Sequence, residues 1–275
     1  MQGPGNNPQQ PFEPSYNTPI PPPNEAPSMR PVGNPQIRFD VIGEAWQMFK
    51  ANTGAWVAAM AVYFVLVFAI SALIGGVMGG SSMPAPGLPG ESPAPAMPNI
   101  PVMIISQLLQ TIIITFLMGG IFRMATKQVR GETPTLGDMF SVGDVLLNLV
   151  LAAVLTTIAY FVGLMLCVVP GLLIIGGLMF TYPLIVDRKL AAVEAMQQSW
   201  AALKGQYFMA FLFLLVVGIV ASLGALLCGI GILATYPIYP LAIAIMYRDF
   251  FLGNETRATF DTYTGPSAPI PPPTF

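Results

Sequence analysis

Few residues in this chain could do chemistry, and their placing limits what that chemistry is. The 275 residues hold 13 Asp and Glu, 11 Lys and Arg, two Cys and no His. Acid–base hydrolysis and metal-assisted reactions draw on histidine or on carboxylates gathered in one site. With no histidine, and no Asp or Glu expected inside an apolar run, neither has a candidate. No G-x-x-x-x-G-K-[ST] phosphate loop occurs, and Gly229-Ile230-Gly231 falls in an expected membrane turn. No catalytic, cofactor-binding or metal-ligating residue is therefore expected, and the chain reads as a non-enzyme.

What remains is uncharged. Ser106, Gln107, Gln110 and Thr111 cluster in one apolar run, and Asn148, Thr156 and Thr157 in another. Such groups either join helices by hydrogen bonds or line a path for an uncharged solute, and the first use is the commoner. Cys167 and Cys228 are both expected near non-cytoplasmic helix ends, where a disulfide is permitted. Glycines and other small residues at four-residue spacing (Gly75/Gly79, Gly218/Ser222, Gly224/Cys228) suit close helix approach within the bundle.

The elements that carry these groups follow from composition. Hydrophobic residues make up 54% of the chain and charged ones 9%, with a mean hydropathy of +0.67. A soluble surface needs about 25% charged residues. No charge lies between Asp144 and Asp187, or between Lys204 and Arg248, and each gap has room for two crossings of about 20 residues. Six crossings are predicted, at about 55–78, 102–122, 146–168, 172–186, 206–227 and 232–247. Pro170-Gly171 is expected to turn the chain within the second hairpin. The fold class is all-α and polytopic: three hairpins, each preceded by a cytoplasmic interfacial segment.

Two of those segments carry an amphipathic pattern. Phe39, Ile42, Trp46 and Phe49 mark one apolar face, and Val193, Met196, Trp200 and Leu203 the other. Under six crossings all 11 basic residues fall on one side, which the positive-inside rule makes cytoplasmic. Residues 1–36 and 253–275 are then Pro-rich cytoplasmic tails, too poor in apolar groups to fold. They share Ile20-Pro21-Pro22-Pro23 and Ile270-Pro271-Pro272-Pro273, runs suited to grooves that read proline-rich strands. Internal repetition is suggested in two registers that exclude each other. One aligns Cys167 with Cys228, the other Thr181-Tyr182-Pro183 with Thr235-Tyr236-Pro237.

The segment from Val169 to Gly205 resembles a bacterial integral membrane family whose best-named members form the membrane part of glycerophosphodiester phosphodiesterases. The matching positions are Pro170, Gly171, Asp187, Glu194, Ala195, Ser199, Lys204 and Gly205. RGETPTLGDMF from Arg130 and MYRDF from Met246 extend the likeness. The resemblance implies a bundle in the bacterial inner membrane without the catalytic domain of those enzymes. The expected partners are the lipid bilayer and a protein met through the tails and the 187–204 loop, with no nucleic acid. A scaffold or accessory subunit is the function expected, with a permease for an uncharged or lipid-like solute as the alternative.

Overall fold

The computed structural model describes residues 35–81, 100–226 and 231–253, and within them every regular element is helical. The order begins α1 (Val41–Ala51), α2 (Thr53–Ser81), α3 (Ile100–Val129), α4 (Leu136–Phe140) and α5 (Leu146–Leu166). It continues with α6 (Val168–Gly177), α7 (Thr181–Arg188), α8 (Ala192–Ala202), α9 (Tyr207–Leu223), α10 (Ile232–Thr235) and α11 (Ile238–Tyr247). A π-helical turn, Arg248–Leu252, ends the described chain. Four stretches are long and apolar enough to cross a membrane: Thr53–Gly76, Ile100–Val129, Leu146–Leu166 and Val169–Arg188. A fifth appears if α8 and α9, which meet at 104°, are taken as one broken span.

The helix of the second predicted crossing does not stop at Phe122. α3 runs 30 residues to Val129, about 45 Å, so Arg123 and Lys127 ride on its polar end. It closes at Gly131, whose φ of 83° lets Glu132 N bond Lys127 O and Gly131 N bond Gln128 O. Pro170-Gly171 is not the turn either. The chain reverses at Cys167, the extended residue between α5 and α6, and Pro170 stands third in α6. Pro183 is third in α7 and Pro240 third in α11. Amides in a first helical turn have no intrahelical acceptor, so proline is tolerated there. The predicted crossing at 232–247 falls on α10 and α11, joined through Tyr236-Pro237.

Packing singles out α11. Nine of its ten residues are buried, among α1, α3 and α9. The expected Gly75 and Gly218 contacts are not made, since a Cβ at Gly75, Gly76 or Gly218 would meet open space. Close approach does occur at Gly224, where a Cβ would meet Thr235 and the Gly231 backbone, and at Gly163, where it would lie 2.8 Å from Gly171 Cα and would separate α5 from α6.

The interfacial helices have the expected positions but a rotated inner face. α1 buries Val41, Ala45, Met48 and Phe49, while Phe39 and Trp46 stay 38% and 40% exposed. α8 buries Ala192, Ala195 and Ser199, while Val193 and Trp200 face outward. Small residues seat each helix on the bundle beside Met48, Phe49 and Leu203, while Trp46, Val193 and Trp200 are exposed. Residues 41–52 align with residues 195–206 at a constant shift of 154, Trp46 on Trp200 and Lys50 on Lys204. Buried, half-buried and exposed states agree at 11 of those 12 positions. Neither register read from the sequence is this one.

Candidate functional site

Charged side chains of the described residues gather where α1, α3, α4, α7 and α11 end. Arg38 bridges Asp40, Glu44 and Asp249, its Nη2 lying 2.6 Å from Asp249. The fully buried guanidinium of Arg248 pairs with Glu44 at 3.1 Å and Asp249 at 2.9 Å. One residue earlier, the Tyr247 hydroxyl donates to Asp187 at 2.6 Å and accepts from Arg188 Nε at 3.0 Å. Arg188 also donates to the Phe251 carbonyl and lies over the Tyr247 and Phe251 rings. Asp187 takes a second bond from Arg130 at 2.5 Å. Lys127 binds Asp138 at 2.8 Å, and Lys189 and Arg123 share Asp144. Arg123 further bonds the Ser141 carbonyl.

Glu44, Asp138, Asp144, Asp187 and Asp249 are each held by two partners. Lys189 foremost, then Arg123, hold Asp144 below the ordinary carboxylate range against its slight desolvation. Burial pushes Asp138 up, but hydrogen bonds from Lys127 and from the Thr135 amide and hydroxyl outweigh it and keep it low. Between α3, α4 and α7 the network leaves an open pocket of about 340 Å³, lined by Arg123, Lys127, Arg130, Asp138, Asp187 and Lys189 among others. Cations and carboxylates in its wall pair with each other, an arrangement suited to fixing backbone ends rather than to transferring protons. Among the described residues no group of three His, Cys, Asp or Glu is placed to hold a metal ion.

The stretches that carry the family likeness meet here: Arg130 and Asp138 from RGETPTLGDMF, Asp187 from α7, Tyr247 to Asp249 from MYRDF. Ser199, another such position, is fully buried and works at a neighbouring joint. Its hydroxyl donates to Gly177 O at 2.8 Å and accepts from Phe180 N at 3.1 Å, which serves the turn between α6 and α7.

The uncharged candidates are not brought together. Gln107 is exposed, and Gln110, Asn148 and Thr156 are half-buried. The Ser106, Thr111 and Thr157 hydroxyls bond back to carbonyls of their own helices, Met103, Gln107 and Ala153. Met196 is half-buried and Leu203 fully buried, so the predicted face of Val193, Met196, Trp200 and Leu203 is split between inside and out. Cys167 is exposed, while Cys228, its proposed disulfide partner, lies outside the described residues, as do both Pro-rich runs.

Two joint-holding residues were not singled out from the sequence. Gln128 accepts from Trp56 Nε1 and donates to Met48 O, both at 2.6 Å, across the α1–α2 joint. Gln206 accepts from Ile37 N and donates to Pro35 O, both at 3.0 Å. Their signal is an amide flanking an apolar run, which many surface positions share. Comparison with protein-family models, with curated proteins and with solved structures found no match.

Proposed function

We propose that this chain is a non-catalytic membrane scaffold or accessory subunit. On this view its charged end lies in the cytoplasm, and it meets a protein partner through that end, the 187–204 segment and the tails. The observation that carries this is a set of ion-pair and hydrogen-bond clusters, adjoining along the chain at 187–189 and 247–249, that ties together residues 38–44, 123–144, 187–189 and 247–249. Together they make a fixed platform from segments far apart in the chain. α8 adds a face directed away from the bundle, with Val193, Gln197 and Trp200 exposed.

The network also supports six crossings. Residues 44 and 123, 144 and 187, and 189 and 248 each bound a stretch that leaves the charged end and returns to it. Each stretch holds two apolar helical runs: α2 and α3, α5 and α6–α7, α9 and α10–α11. A chain that starts and finishes at one membrane face crosses an even number of times, which argues against five spans and favours three hairpins. With Arg38, Arg123, Lys127, Arg130, Arg188, Lys189 and Arg248 at that end, the positive-inside rule puts it, and so both termini, in the cytoplasm. Kinship with the membrane part of glycerophosphodiester phosphodiesterases fits the meeting of the motif residues and belongs to the same proposal.

A photo-crosslinking residue at Gln197, exposed on α8, tests the scaffold in intact membranes. A discrete protein adduct is expected, reduced by charge reversal at neighbouring exposed positions. Adducts with lipid alone, together with solute flux in vesicles holding only this protein, would replace the scaffold with the permease.

A further inference from the structure

Arg123, Thr126 and Lys127 on α3, with Arg130 just past its end, recur at spacings of three and four and form a single stripe. The stripe makes one wall of the open pocket of about 340 Å³ and faces Asp138 and Asp187. Inside, the charges are closely paired: Asp138 and Asp187 are 15% and 8% exposed, and each holds two partners. The mouth differs. Arg130 gives Asp187 one bond, Lys189 gives Asp144 one, and both stay open to solvent, at 41% and 64%. Glu132 is 59% exposed and meets Lys127 at 3.8 Å, beyond hydrogen-bond length. One rim thus carries N–H donors and a carboxylate with bonding capacity left on each. Apolar surface adjoins it. On α4, whose Asp138 lines the pocket, Leu136 and Phe140 are exposed, and the Phe140 ring lies 6.4 Å from that of Phe116 on α3. The pocket sits where the apolar runs of α3 and α7 give way to charge, at Arg123 and Asp187, which in a membrane is the headgroup level.

We propose that this pocket binds the headgroup of a membrane phospholipid that carries both a phosphate and a primary ammonium, as phosphatidylethanolamine does. The proposal goes beyond the scaffold function and needs only that the charged end lies at a membrane face. Arg130 and Lys189 take the phosphate, the first through a planar fork that matches two phosphate oxygens. Glu132 accepts from the ammonium, and Leu136 and Phe140 lie against the acyl chains. The wall selects for a double charge. It holds four cations, Arg123, Lys127, Arg130 and Lys189, and three carboxylates, Glu132, Asp138 and Asp187. A simple anion or cation meets like charge there, whereas a group bearing both finds a partner for each. The wall also selects against a trimethylammonium group, which has no N–H for a carboxylate and is held by aromatic faces. No aromatic side chain lines the pocket among the described residues. A lipid is favoured over a free solute because the pocket is open and borders the exposed Leu136 and Phe140.

The test uses the full chain, purified in detergent and stripped of lipid. It is presented with equimolar phosphatidylethanolamine, phosphatidylcholine and phosphatidylglycerol of matched acyl chains, and bound lipid is counted by native mass spectrometry. The ethanolamine lipid is expected about fivefold above either of the others, the scale of one exposed ion pair. Glu132→Gln should reduce that lead below about twofold, because the phosphate is still held while the ammonium loses its carboxylate. Lys189→Gln should lower ethanolamine-lipid binding about threefold. Both residues are exposed, and an unchanged unfolding temperature checks that each variant is folded. Equal binding of the three lipids would mean an unselective lipid coat and overturn the proposal, as would a lead that survives Glu132→Gln. A lead for phosphatidylglycerol would replace it with an anion site. Displacement by soluble O-phosphoethanolamine at the concentration of the lipid would overturn a lipid as the occupant. The Gln197 crosslink is read separately, so lost lipid selectivity leaves the scaffold standing, and a lost crosslink leaves the lipid site standing.

Discussion

Ser199, Gln128 and Gln206 each place two hydrogen bonds where helices change direction, at points whose backbone groups have no helical partner. Ser199 is the most enclosed, with no exposed surface. Ser199→Ala leaves the Gly177 carbonyl and Phe180 amide unpaired in an apolar setting, a loss of about 1–3 kcal/mol. The expected result is a lower unfolding temperature in detergent, with Ser199→Thr partly restoring it. An unchanged temperature would mean that water reaches the joint. Gln128→Leu should cost a similar amount through Met48 O and Trp56 Nε1, and the freed indole should alter the Trp56 fluorescence. The sequence marked Ser199 only through a resemblance and did not mark Gln128. An isolated polar residue at the edge of an apolar run fits a solvent-facing position equally well, and only the packed backbone distinguishes the two.

α1 and α8 show what periodicity reveals and what it hides. Their existence and amphipathic character were legible from the spacing of Trp46, Phe49, Trp200 and Leu203. The direction of burial was legible only in part: Phe49 and Leu203 face inward as expected, but Trp46, Val193 and Trp200 do not. Beside a membrane the rule that bulk faces inward divides: small residues permit close seating on other helices, and large apolar ones can face lipid. Trp46 and Trp200 are therefore expected at the lipid interface, whereas Trp56 is fully buried against Gln128. Brominated lipids test this with single-tryptophan variants. Quenching of Trp46 and Trp200 is expected from labels high on the acyl chain, with little quenching of Trp56 at any depth. Equal quenching of all three would contradict the observed seating. The shift of 154 rests instead on the inward positions Val41/Ala195, Ala45/Ser199 and Phe49/Leu203, whereas the Cys167/Cys228 register falls partly outside the described residues.

For the whole molecule, the absence of charge from long stretches located the apolar runs within a few residues, because lipid excludes charge strongly. The meeting of Arg130, Asp187 and Tyr247 could not be read, since it joins positions 57 and 60 residues apart. Asp138 and Asp144 are held low in the folded state, so the unfolded chain binds more protons at acid pH. Their contribution is present above the ordinary carboxylate value near pH 4 and is lost as pH falls through the lowered values. Unfolding temperatures in detergent should be level from pH 8 to 5 and drop below about pH 4, less steeply in Asp144→Asn. A drop beginning near pH 6 would point to other groups. In a background without Cys167 and Cys228, membrane-impermeant labelling of Gly43→Cys, Glu132→Cys and Gln197→Cys, all exposed positions at the charged end, should succeed from the cytoplasmic side alone. Labelling of any one from the opposite side would break the three-hairpin topology. The burial of α11 carries a consequence for biogenesis. Nine of its ten residues are buried, yet it is the last described α-helix to leave the ribosome. A nascent chain halted before Ile232 would hold its earlier hairpins around an unfilled centre. Maturation of this protein therefore waits until Tyr247 has left the ribosome, and chains cut short before it should be substrates for membrane quality control rather than partial assemblies.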